Sequence, residues 1–156
     1  MERVVILVER AAGVFLASVA LLIFTSVVAR DLAGVDVPDS FDFSRYLQGI
    51  AIFWGIAVAT YRNAHILVDL VWELSAARMR RWIDLFATLT TLLFLAAMAW
   101  MLLDRLPSVI RAHQLTSDLR LPMWPFYALV VLGAVAAALV GAIRFFRLAR
   151  GETIER

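Results

Sequence analysis

The chain has no cysteine and no lysine, only two histidines, and four long stretches without a single Asp, Glu, Arg, Lys or His. Without cysteine there is no disulfide framework, thiolate metal site or cysteine nucleophile. The basic residues are all arginine, which base composition explains as readily as chemistry does. They are dispersed rather than clustered on one face, so a pI near 9.7 does not indicate a nucleic-acid partner. No carboxylate pair, nucleophile with a nearby base, or glycine-rich phosphate loop is present, and the chain has no candidate catalytic residues. No enzymatic activity and no cofactor are expected.

The four uncharged stretches are residues 11–29, 46–61, 85–103 and 121–143. At 1.5 Å rise per residue, 19 to 23 residues cover about 28 to 34 Å, the thickness of a bilayer's hydrocarbon core. The second is shorter, so its helix is expected to run from about 43 to 64, with Arg45 and Arg62 snorkelling and Tyr46 and Tyr61 at the interfaces. Hydrophobic residues make up 63% of the chain and mean hydropathy is +0.84, well above soluble domains. The expected fold is therefore an all-α integral membrane protein, one domain over 1–156 with four transmembrane helices. Pumps and ion carriers usually hold a paired ionisable group inside a span. These spans hold none, so the chain is not expected to energise transport by itself.

Arginine placement sets an expected orientation. Ten arginines lie in the N-terminus, the central connection and the C-terminus, and five in the other two connections. The positive-inside rule then makes both termini and the central connection cytoplasmic. The first apolar run is longer than the roughly 7–15 residues of a signal-peptide core, and Ala29-Arg30-Asp31 is a poor cleavage context, so the first span is expected to be retained.

Between spans two and three, over residues 65–81, Ile66, Leu67, Leu70, Val71 and Leu74 fall at helical spacing, with Asp69, Glu73 and Arg80 on the other side. This predicts an amphipathic segment in the cytoplasmic interface, or else an extension of span two that turns back at Ser75. Residues 1–10 form either a second surface segment or the first turns of span one. In the connection 104–120, part of the chain is expected to continue span three, with Pro107 bending it. Leu121-Pro122-Met123-Trp124-Pro125 then opens span four, where proline costs no ladder bond, and Trp124 sits at the interface.

Small residues recur at every fourth position, Ala51, Gly55 and Ala59 on span two and Gly133, Ala137 and Gly141 on span four. Such stripes allow close backbone approach, either between these two spans or against a partner. His65 and His113 lie roughly a membrane thickness apart and cannot hold one haem iron between them. His65 and Asp69 are an i, i+4 pair, read as a structural cap because no third metal ligand is evident. Arg30-Asp31 and Asp42 with Arg45 bring opposite charges to one side of the first hairpin, where exposed pairs contribute only about 0–1 kcal/mol. Their roles would be to orient the hairpin or to meet a partner.

Three segments in order resemble the small membrane subunit, of DctQ type, of tripartite ATP-independent periplasmic (TRAP) transporters. The first is Val27-Val28-Ala29-Arg30-Asp31-Leu32-Ala33-Gly34, with Asp31 where the family commonly has an aromatic. The second joins Asp42-Phe43-Ser44-Arg45-Tyr46, a small-residue span with Trp54 and Gly55, and Arg62-Asn63-Ala64-His65-Ile66-Leu67-Val68-Asp69. Phe41 stands beside Asp42 where the family often shows a second acid. The third runs from Thr116 through Leu121-Pro122-Met123-Trp124-Pro125-Phe126-Tyr127.

The resemblance implies a non-catalytic subunit in a bacterial inner membrane. It implies binding to a large multi-span subunit that carries the substrate and sodium sites and moves as an elevator. A periplasmic solute-binding protein would deliver the solute, typically an organic acid. The small subunit would brace the immobile scaffold, with Arg30, Asp42, Arg45, Trp54, Gly55, Arg62, His65, Asp69, Pro122 and Trp124 as partner-interface or signature positions. The rival readings are a haem- or quinone-associated membrane anchor of an oxidoreductase and a self-sufficient small multidrug carrier. The histidine topology disfavours the first, and the missing intramembrane carboxylate the second.

Overall fold

A computed structural model describes residues 2–62 and 77–150, which form four helices and no strand. They are α1 (Glu2–Ala33), α2 (Ser40–Tyr61), α3 (Ala77–Arg111) and α4 (Trp124–Ala149). Three contain segments long and apolar enough to cross a membrane: Val5–Ala33, Met79–Arg111 and Trp124–Ala149. In hydrocarbon every backbone N–H and C=O must bond within the segment, so an uninterrupted apolar run has the helix as its outlet. α2 has no uninterrupted stretch as apolar as these, because Arg45, Gln48 and two glycines break it up.

The helices overrun the uncharged stretches. α1 is continuous from Glu2, so residues before Arg10 are the first turns of span one and not a separate surface segment. At about 48 Å it exceeds the hydrocarbon thickness, and its charged first turns extend beyond it. It ends at Gly34, where φ is 65° and the N–H bonds to the Arg30 carbonyl at 3.1 Å, the left-handed cap that glycine adopts without a Cβ clash. α2 starts at Ser40, three residues before the expected 43, and residues 63 and 64 lie outside the described residues. α3 begins at Ala77, absorbing the last five residues of the expected amphipathic segment, and continues through Pro107 to Arg111. The remainder of that segment, residues 65–76, lies outside the described residues. α4 corrects the expected start at 121. Pro125 occupies its first turn, and Pro122 lies ahead of the helix in an isolated bridge with Leu115.

The helices stand in a row in the order α1, α2, α4, α3, each packed extensively on its neighbour. α1 buries Ala12 and Val19 and partly covers Val5, Val8, Phe15, Leu22 and Ser26 along the same narrow seam, with most of its other residues exposed. That alternating three-and-four spacing is the 3.5-residue period of left-handed, coiled-coil-like packing. α4, second from the other end, buries Val130, Val131, Gly133, Ala134, Ala137 and Gly141. Ala57, Leu95 and Ala137 form the centre where α2, α3 and α4 meet.

The α2/α4 contact is closest along the row Gly49, Phe53, Ala57. A Cβ on Gly49 would lie 3.2 Å from Val130, and one on Gly133 would lie 3.1 Å from the Cβ of Phe53 and 3.0 Å from the ring of Trp54. The α4 stripe of small residues is therefore an intrachain contact, against α2 at Gly133 and against Leu92 and Leu95 of α3 at Gly141. The α2 stripe is not its mate. A Cβ on Gly55 would meet nothing within 4 Å.

Candidate interface and the clasp between the connections

At one end of the row the α1–α2 and α3–α4 connections are tied together. The chain from Gln114 to Met123 folds back on itself, with Thr116 N–H bonded to the Leu121 carbonyl at 2.9 Å and Met123 N–H to the Gln114 carbonyl at 3.0 Å. This turn is laid against the start of α2. Asp39 precedes α2 in the left-handed region (φ 52°) and makes no side-chain cap to its own helix. Its carboxylate instead accepts the N–H groups of Asp118 at 2.6 Å and Leu119 at 2.9 Å, while its own N–H donates to Asp118 Oδ2 at 2.8 Å. One turn on, Asp42 Oδ2 accepts both the N–H and the hydroxyl of Ser117 at 3.1 Å.

Asp39 and Asp42 are both buried, yet each has charge-assisted donors, which is the condition under which a buried carboxylate is tolerated. Burial raises the Asp39 pKa, but the Thr116 hydroxyl and the Asp118 and Leu119 N–H groups more than offset it and hold the carboxyl below its ordinary value of 3.8. Beneath the clasp, Phe43 meets Phe126 edge-on at 5.7 Å, Tyr46 lies 6.1 Å from Phe126, and the Tyr46 hydroxyl donates to Met123 Sδ at 3.2 Å.

The expected signature residues divide among three places. Arg30, Asp42, Arg45, Pro122 and Trp124 lie at the clasped end. Arg45 stands 3.9 Å from Asp42, donates to the Tyr46 hydroxyl at 3.2 Å and sits 5.0 Å from that ring's centre. Arg30 does not pair across the hairpin with Asp42; it lines a groove shared with Arg45. Trp54 and Gly55 lie in the middle. The Trp54 indole donates to the Leu129 carbonyl at 3.1 Å, stapling α2 to α4, while Gly55 faces open space. Arg62 lies at the opposite end, capping α2 through Val58 and pairing with Glu9 of α1 at 2.6 Å. His65 and Asp69 lie outside the described residues.

Residue-by-residue reading of the sequence missed Asp39, Thr116 and Asp118, the centre of the clasp. The signal was slight: Asp39-Ser40 ahead of an apolar run and Thr116-Ser117-Asp118 in the other connection are both turn-forming groups. Nothing local says that they meet, since they are 79 residues apart.

Apolar helices of membrane-crossing length and polar connections gathered at their ends define an all-helical membrane protein. Among the described residues no group of three or more His, Asp or Glu could hold a metal. Residues 19–151 match the family described as tripartite ATP-independent periplasmic transporters, DctQ component. The chain belongs to this family, the small permease subunit of TRAP transporters, a transporter component. The family lends the oxidoreductase-anchor reading no support. No curated protein matches the chain.

Proposed function

We propose that this chain is a scaffold-bracing subunit, lodged beside a large sodium-coupled elevator subunit that takes up an organic acid delivered by a periplasmic binding protein. The observation that carries this reading is the open row of helices. A row encloses no central solute cavity, and its uncharged middles offer no group to couple an ion. It does present broad apolar flanks, which is what a static wall against a moving neighbour requires.

In this reading the whole chain, 1–156, is one domain. α2 is the fourth span, its lower hydropathy tolerated because α1 and α4 cover two of its sides. Both termini and the 63–76 connection face the cytoplasm, following the arginine distribution, and the clasped connections face the periplasm. Gly55, with open space before it, is the position on α2 where a partner helix approaches.

Reconstitution into liposomes with a sodium gradient and binding protein tests the division of labour. Uptake is expected with both membrane subunits together, and uptake by this chain alone would refute the proposal. Orientation is tested by labelling single cysteines at Asp36, Ser75 and Gln114 with an impermeant reagent in intact cells. Asp36→Cys and Gln114→Cys should label and Ser75→Cys should not; the reverse pattern inverts the topology.

A further inference from the structure

Between α1 and α2, beside the clasp, lies a groove of about 400 Å³ whose polar wall is made by Arg30, Arg45, Ser26, Ser40, Ser44 and Gln48. Two of the three hydroxyls satisfy each other, Ser26 Oγ and Ser40 Oγ being 3.0 Å apart. The third does not. Ser44 is only 6% exposed, and its Oγ has no hydrogen-bond partner among the described residues. A buried hydroxyl left unpaired costs free energy, and such a group calls for an explanation. The residue borders a space shared with two guanidinium groups, while the oxygen itself is covered.

Neither guanidinium that lines that space is closely paired with a carboxylate. Among the described residues Arg30 has no carboxylate within ion-pairing distance. Arg45 has Asp42 Oδ1 at 3.9 Å, a long contact, while Oδ2 of the same carboxylate accepts from Ser117 in the clasp. The start of α2 adds the positive end of its helix dipole at Ser40. Five donors of fixed fork geometry on each guanidinium, with hydroxyls alongside, suit a phosphate or carboxylate oxygen cluster.

The other half of the groove is apolar. Ile23, Val27 and Phe41 continue its wall, the first two nearly half exposed and Phe41 76% exposed. Ile23 lies two helical turns from Arg30, about 10 Å further along α1 toward its middle. The groove is thus cationic at the end of a membrane helix and greasy toward the bilayer centre. A free anion would use its upper part alone, and an acidic protein segment would leave the apolar half to lipid. A molecule with an anionic head and a hydrocarbon tail matches both halves.

We propose that the α1/α2 groove is a binding site for an anionic phospholipid, its phosphate held by Arg30 and Arg45 and its acyl chain laid along Ile23, Val27 and Phe41. The site rests on membrane insertion of α1 and does not depend on the transport reading.

The test is native mass spectrometry of the full chain in nonionic detergent, titrated with phosphatidylglycerol, with phosphatidylcholine of the same acyl chains, and with inorganic phosphate. Phosphatidylglycerol is expected to be retained in preference to phosphatidylcholine. Arg30→Gln should weaken that retention about tenfold, the scale of one lost charge-assisted bond, and Arg30→Lys by less. Circular dichroism shows that each variant is folded, and Arg45→Gln serves if Arg30→Gln is not. Equal retention of the two lipids, or retention unchanged in both arginine variants, overturns the proposal. Inorganic phosphate displacing the lipid at equal concentration would assign the site to a soluble anion and overturn the lipid. Weaker capture of the large subunit by Arg30→Gln, with lipid binding intact, would give the groove to a protein partner and likewise overturn it.

Discussion

α2 is held on two sides by interfaces of opposite character. Against α4 it is close-packed, with Gly133 admitting Phe53 and Trp54, an indole staple to the Leu129 carbonyl, and an aromatic cluster under the clasp. Against α1 it has a thin heptad seam, one hydroxyl pair near one end and one exposed ion pair near the other. The groove described above opens along this seam. A second, apolar cavity of about 250 Å³, bounded by Leu7, Phe15 and Ile50 among others, lies further along it. The two interfaces are equally extensive, but the first interlocks bulky and small side chains where the second leaves grooves. In a bilayer, where lipid is as apolar as leucine, tight helix association comes from close packing and hydrogen bonds; both interfaces have directed bonds, and the first adds the closer packing.

The largest expected effect breaks the tight interface. Gly133→Leu forces side-chain atoms into space already filled by Phe53 and Trp54, and should cost about 3 kcal/mol, with Gly133→Ala costing about 1. Thermal unfolding in detergent measures both. Next is Asp39→Ala, which removes the acceptor that joins the connections. Trypsin cleavage after Arg120 should become several-fold faster, while Asp39→Asn, which keeps one acceptor oxygen, should give an intermediate rate.

The clasp also predicts an acid limit. The Asp39 carboxyl titrates below its ordinary value in the folded protein, so its contribution is fully present above about pH 4 and is lost as pH falls through the lowered value. Melting temperature measured from pH 7 to pH 3 should hold down to about pH 4 and then fall, and Asp39→Ala should show less of that fall.

Smaller effects are expected at the looser interface. Glu9→Gln removes a pair whose side chains are 48% and 44% exposed, so less than about 1 kcal/mol should be lost, and the loss should shrink in high salt. The smallest effect on the chain itself belongs to Gly55→Leu. Open space receives the new side chain, so melting should move by no more than about 0.5 kcal/mol, the level of a tolerated surface change. If Gly55 is where a partner helix approaches, co-purification with the large subunit should nevertheless fall. Unchanged co-purification would leave that face of α2 to lipid.

Much of the architecture was legible from consecutive residues. The uncharged runs marked all four helices, and the order of segments around Arg30, Asp42 to Arg45, Arg62 and Leu121 to Tyr127 carried the family. What misled was spacing taken as contact. The stripe Ala51, Gly55, Ala59 has the form of a helix interface, yet the row Gly49, Phe53, Ala57 faces α4. Pro122 has the form of a helix start, yet the helix waits two residues more, because Leu115 and Pro122 first close the turn that reaches Asp39.

Sequence by itself determined what is one-dimensional: helix, membrane and approximate span ends, because backbone satisfaction and hydropathy act along successive residues. Tertiary structure alone decided the order of the row, which face of α2 is covered, the pairing of Asp39 with residues 79 and 80 positions away, and the meeting of Arg30 with Arg45 and Ser44. The reason is physical. Inside a membrane every face of these helices is apolar enough to meet lipid, so composition does not rank one face above another. Shape complementarity and a few directed hydrogen bonds do, and both exist only between surfaces already brought together.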